Sequence, residues 1–144
     1  MKIVKPEATE SAPPTPPRMD EIDHAECRAT VQVLDRIGDK WTVMVVGVLA
    51  QGPIRFNAIL RQISGLSHRM LTLTLRGLQR DGMVQRRAYP TIPPKVEYEL
   101  TPMGRSLIEP LHVMWQWAQQ HRATIEAART EFDAAPSAHE EPDP

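Results

Sequence analysis

Apolar side chains recur along this chain at two different periods, and the change from one to the other lays out the fold. Phe56, Ile59, Leu60 and Ile63 fall at helical spacing, and after a SerGlyLeuSer break Leu71, Leu75 and Leu78 resume it. Ser67 is placed to cap the second of these helices, and Asp81-Gly82 turns the chain at its end. Two short helices joined this tightly predict a helix-turn-helix. Upstream, Val31, Leu34 and Ile37 make a short stripe that ends at Gly38. Residues 41–50 (WTVMVVGVLA) are apolar on nearly every side, which predicts a buried central helix. The β-branched content of that run would also suit a strand, but its length and the Gln51-Gly52-Pro53 stop favour the helix.

Beyond Gly82 two strands are expected, residues 84–89 and 95–100. In the second, Val96, Tyr98 and Leu100 alternate with Lys95, Glu97 and Glu99, so one face should be buried and the other wet. The intervening ProThrIleProPro is too stiff for a two-residue turn and should project as a loop. Thr101-Pro102 reads as an N-cap followed by proline at the first helical position. It should open one long final helix carrying Leu107, Leu111, Met114, Trp115 and Ala118, kinked at Pro110 by the lost hydrogen bond. The expected fold is mainly α with a small β-hairpin wing: a winged helix-turn-helix followed by a long C-terminal helix suited to dimerisation.

Charge sharpens this picture once it is read locally. The net charge of the 144 residues is -1, yet residues 27–122 carry 13 basic and 6 acidic side chains. The acidity sits at the two ends, which are also Pro-rich. Such segments bury too little apolar surface to offset their ordering entropy, so residues 1–24 are expected to be a disordered acidic tail. Residues 25–122 form the expected DNA-binding domain, and residues 123–144 an acidic tail that is helix end and then disordered. Between Lys40 and Arg80 there is no Asp or Glu, and up to Val96 only Asp81. Nine basic residues share that stretch, the pattern a phosphate backbone selects.

With Leu71, Leu75 and Leu78 turned inward, Arg69, Thr72, Leu73, Arg76 and Arg80 fall on the opposite face, and Ser67 and His68 stand at the N-terminus. This is the layout of a recognition helix, whose N-terminal residues reach base edges in the major groove. Arg pairs bidentately with guanine, and Thr or Leu can meet a thymine methyl. Ser67 and the helix N-terminus would hold a phosphate. Arg55 and Asn57 open the preceding helix and can reach the backbone. Arg87 and Lys95 flank the wing loop and would approach a phosphate or the minor groove. The bland alternative for Arg80 and for the wing cations is a solvated face. A winged-helix protein-interaction module that binds no DNA is the competing class, and it would be expected to scatter acids through the second helix.

The string RFNAILRQISGLSHRMLTLTLRGLQRDGMVQRRAYPTIPPKVEYELTPMGRSL resembles the HxlR-type branch of winged-helix bacterial transcription regulators. Cys27 ahead of the first helix, GlyAspLysTrp at 38–41, Arg55-Phe56, AspGlyMetVal after the Ser67–Leu78 helix and ProProLysValGluTyrGluLeuThr at 93–101 carry the resemblance, with Gly104 and Trp115 following in order. It covers about residues 27–118 and leaves the acidic tails outside. The resemblance implies a dimeric repressor or activator on double-stranded DNA, several family members answering electrophiles or oxidants through the early cysteine. We expect a homodimeric repressor on an inverted-repeat operator, its interface formed by Val31, Leu34, Leu111, Met114, Trp115, Trp117 and Ala118. Control by a small-molecule effector instead of a thiol stays open.

Cys27 itself reads two ways. A lone cysteine near an apolar helix is most often a small buried hydrophobe. Arg28 beside it, His24 three residues earlier and a helix N-terminus make it a redox-sensor candidate, with Glu26 opposing. One cysteine excludes an intramolecular disulfide framework and suits a reducing cytoplasm. No apolar run reaches membrane-spanning length, and the N-terminus lacks a secretory hydrophobic core. Catalytic serine motifs, phosphate-cradling glycine loops and metal clusters are absent; Glu109 and His112 have a metal-pair spacing but no second pair. No enzymatic activity, cofactor or metal is expected.

Overall fold

The computed structural model describes Thr15, Arg18 and residues 23–135. Most of the expected N-terminal tail, residues 1–24, and the last part of the expected C-terminal tail, residues 136–144, lie outside these residues. The chain divides into two compact units, Met1–Asp35 and Arg36–Pro144. In the first, the described residues are chiefly the opening turns of α1 (His24–Gly38), a helix with no buried residue. Cys27 is half-buried, and its amide donates to the Asp23 carbonyl at 2.8 Å, so it lies in the first turn.

In the second unit, α2 (Lys40–Leu49) starts where the Asp39 carboxylate accepts from the Thr42 amide at 3.1 Å. The run of residues 41–50 is therefore a helix, but burial on nearly every side is corrected. Thr42, Val45, Val46 and Leu49 are buried at helical spacing, while Met44 and Gly47 are exposed, because the core lies against one side of the helix only.

A two-residue strand that periodicity did not foresee follows, β1 (Ile54–Arg55). Its partner is distant: Ile54 pairs with Tyr98 and Arg55 with Glu97. Then come α3 (Phe56–Gln62) and α4 (His68–Arg80), joined through Gly65, whose φ of 80° is open to glycine and strained for other residues. Ser67 caps α4 as expected, accepting from the Met70 amide at 3.1 Å. β2 (Val84–Tyr89) and β3 (Lys95–Leu100) form the wing, antiparallel from Val84↔Leu100 to Tyr89↔Lys95, and the sheet order is β1-β3-β2. The expected wet face of β3 is corrected. The Glu97 and Glu99 side chains are only 16% and 14% exposed, because cations and polar groups of the wing lie over them.

The single kinked final helix is also corrected. Thr101 caps a short α5 (Pro102–Ser106), the chain breaks at Leu107, and α6 (Ile108–Ala134) begins afresh. Pro110 stands in the first turn of α6. Its missing N–H falls at the break, where no helical bond is lost, so the kink is unnecessary. α6 continues to Ala134, well beyond residue 122. Leu111, expected at a subunit interface, is 5% exposed and belongs to the subunit's own core with Val45, Leu49, Ile59, Leu71, Leu75 and Leu78.

Candidate nucleic-acid interface

The face of α4 opposite this core is built by helical arithmetic. Burying Leu71, Thr74, Leu75 and Leu78 turns Arg69, Leu73, Arg76 and Arg80 to solvent in one line, at i, i+4, i+7 and i+11. Leu73 stands in the same line, an apolar side chain 51% exposed. Thr72 is half-buried and its hydroxyl donates to the His68 carbonyl at 2.9 Å, so its methyl group is what remains for an apolar contact. His68 is exposed, and its ring leans on Phe56 with centroids 4.6 Å apart, bracing the start of α4 against the start of α3. Ser67 spends its acceptor on the cap and keeps its hydroxyl proton to donate. Arg55 and Asn57 are exposed at the beginning of α3.

The wing differs electrostatically from its expected form. Arg87 Nε lies 2.6 Å from Glu99 Oε1, and Lys95 Nζ lies 3.0 Å from Glu97 Oε1. Gln85 also donates to Glu99, and the Tyr89 hydroxyl to Glu97. The hydrogen bond from Lys95 first, then the Lys95 charge, the Tyr89 hydroxyl and the Arg55 charge, hold the Glu97 carboxyl below its ordinary range, against a desolvation that acts the other way. Both wing cations proposed for DNA therefore already have carboxylate partners, and a phosphate must share them.

One positioning residue had no local signal in the sequence. Arg36 Nε donates to Asp81 Oδ2 at 2.9 Å, across 45 positions of chain. Its guanidinium lies directly over Gly77, where an added Cβ would come within 2.2 Å of Nη1. The C-terminus of α4 is thereby tied down at one end, and Ser67 and His68 fix the other. Among the described residues no group of three or more His, Cys, Asp or Glu side chains could hold a metal ion, and no helix is long and apolar enough to cross a membrane.

A family model for HxlR-like helix-turn-helix proteins matches residues 36–126. The chain belongs to the HxlR-like helix-turn-helix family. It is similar to an uncharacterised helix-turn-helix transcriptional regulator of Methanothermobacter thermautotrophicus, 39% identical over 103 residues, covering 71% of this chain and 79% of that one. Among solved structures it resembles the redox regulator HypR in its reduced form, with a TM-score of 0.63 and 39% identity over 69% of this chain and 98% of that one. The reduced form of the transcriptional regulator YodB of Bacillus subtilis matches with a TM-score of 0.59 and 33% identity, over 65% and 92% of the two chains. This HxlR-like chain is thus a DNA-binding transcriptional regulator by family and by fold, as its relatives are named transcriptional regulators. Cys27 precedes the segment that the family model matches.

Proposed function

We propose that this HxlR-like protein is a homodimeric repressor that reads an inverted-repeat operator through α4 and responds to oxidants or electrophiles through Cys27. The observation that carries DNA reading is the acid-free line Arg69, Leu73, Arg76 and Arg80, with the helix N-terminus at Ser67 set for a phosphate. Arg55, Asn57, Arg87 and Lys95 contribute backbone contacts. The test is elution from immobilised duplex DNA in a salt gradient. Steep salt dependence is expected, and Lys95→Ala should weaken binding to every sequence alike and flatten the slope by at most about one unit. A chain that shows no steep salt-dependent binding to the duplex would instead indicate a protein-interaction module.

Dimerisation rests on apolar surface that the subunit leaves uncovered. Val31 and Leu34 on α1, and Val113, Met114 and Trp117 on α6, are all about half exposed, with Ala118 exposed beside them. A two-fold pair would set two recognition helices about 34 Å apart and require half-sites one duplex turn apart. Sedimentation should give a dimer at micromolar concentration. A monomer with full operator affinity would overturn this.

The thiol reading is favoured by the likeness to HypR, which is described as a redox regulator. Cys27 is half-buried in the first turn of α1, where added bulk or charge would disturb the helix start. Without a second cysteine, any disulfide at Cys27 would be an intersubunit bridge or a mixed disulfide with a small thiol. Peroxide, diamide or a quinone should change the operator affinity of the wild type about tenfold and leave Cys27→Ser unmoved. Equal responses in both proteins, or none in either, would remove the switch.

A further inference from the structure

The residues between Lys40 and Val96 contain a single carboxylate, Asp81, and it stands at the C-terminus of α4, just past Arg80. An acid is unfavourable there on two counts. It meets the negative end of the helix dipole, and it would repel a phosphate backbone drawn to Arg76 and Arg80. Arg36, in the last turn of α1, offsets it: its Nε donates to Asp81 Oδ2 at 2.9 Å. Arg36, Gly77 and Asp81 all belong to the second unit, and Ile37 beside Arg36 packs against the core.

Pairing with Asp81 engages only one edge of the guanidinium. The N–H groups of Nη1 and Nη2 remain, and among the described residues neither nitrogen has a hydrogen-bond partner. The group nonetheless has a defined seat. It lies on bare α4 backbone at Gly77, where an added Cβ would come within 2.2 Å of Nη1 and 2.5 Å of Cζ. Glycine is the least favourable helix-interior residue after proline, and the φ of Gly77 is not positive, so its backbone does not require it. What the missing side chain does leave is room for the guanidinium. An ion pair whose side chains are 33% and 34% exposed stabilises a fold only weakly. Stability alone therefore does not account for the seat.

Its location supplies another reason. Gly77 follows Leu73 by four positions and Arg76 by one, so it lies on the flank of the solvent line, between that line and the buried Thr74 and Leu78. A helix about 10–12 Å across nearly fills a major groove about 12 Å wide, so its flanks face the phosphate strands that bound the groove. We infer that Arg36 is a DNA-backbone contact outside α4 and the wing. The end of α1 brings it to the flank of α4, Asp81 holds Nε, and Nη1 and Nη2 donate to a phosphate. This inference rests on α4 being the helix that enters the groove.

The test titrates the full chain against a random-sequence duplex at several salt concentrations. Arg36→Gln keeps most of the stem and loses the charge. It should flatten the salt slope by about 0.9 for each subunit bound, and weaken binding about fivefold per subunit at roughly 0.15 M salt. The decisive comparison repeats Arg36→Gln in an Asp81→Asn chain, where the carboxylate charge is gone but an oxygen can still accept from Nε. The same loss of slope is expected there. If Arg36→Gln alters the slope only when Asp81 is present, Arg36 merely masks a carboxylate and the contact is overturned. An unchanged slope in both backgrounds overturns it as well. A wild type without salt-dependent binding would sink the DNA-binding reading and this contact with it. A salt-dependent wild type that is indifferent to Arg36 counts against the contact alone.

Discussion

Arg69→Ala and Arg76→Ala should each cost about 1–3 kcal/mol of operator binding and relax the preference at particular base pairs, while binding to unrelated duplex falls far less. Both side chains stand on the solvent line of α4, one in its first turn and one two turns later, so they should map to different positions within a half-site. Leu73 between them can discriminate a thymine methyl but has no charge to offer a phosphate. Operator variants titrated against each mutant at fixed salt would resolve this. If both substitutions lowered specific and non-specific binding by the same factor, the two arginines would be backbone contacts, and base reading would have to lie elsewhere on the helix.

Gly104→Ala should destabilise the domain by about 3 kcal/mol, since overpacking a filled site typically costs 1–3 kcal/mol or more. A Cβ at this position would lie 2.1 Å from the Met83 carbonyl oxygen and 3.2 Å from Leu100 Cδ2. The carbonyl cannot retreat without loss, because it accepts from the Thr101 amide at 3.0 Å. The neighbouring Gly82 carbonyl accepts from the Thr101 hydroxyl at 2.6 Å. A small backbone knot therefore joins the turn after α4 to the start of α5, and glycine alone fits inside it. Thermal unfolding should show a melting temperature lower by roughly 12–24 °C, from the usual 4–8 °C per kcal/mol for a domain of this size. A loss below about 5 °C would mean that the two segments separate easily and that the knot is soft.

How much of this was legible in the sequence depended on whether the cause was local. The start of α4 was readable to the residue, and its end to within a few, because Ser67, the leucine spacing and Asp81-Gly82 all act within one helix. The wing strands came out with their observed bounds because Pro93 and Pro94 close the loop and β3 alternates. β1 was invisible because two residues hold no period, and only its pairing with β3 makes it a strand. The break at Leu107 was misplaced to Pro110 because proline was assumed to act in mid-helix, while α5 ends before it. Leu111 was assigned to a partner because apolar stripes do not say which surface they meet. In the candidate site, the line of arginines followed from periodicity alone. The carboxylates beneath Arg87 and Lys95 did not, because cross-strand ion pairs depend on register and side-chain reach.

Those wing pairs also bear on how the protein divides its time along a chromosome. Attraction to arbitrary duplex grows with every cation that is free to neutralise a phosphate, and a genome offers on the order of 10⁶–10⁹ competing sites for each true one. By committing Arg87 to Glu99 and Lys95 to Glu97, the wing keeps its shape and donor geometry while withholding much of its charge. On the proposed reading, the hold on random sequence would be loosened more than the hold on an operator, where α4 would add contacts that wrong sequences cannot make. Fewer copies would then be stranded on irrelevant DNA, and a given operator would be occupied at a lower cellular copy number.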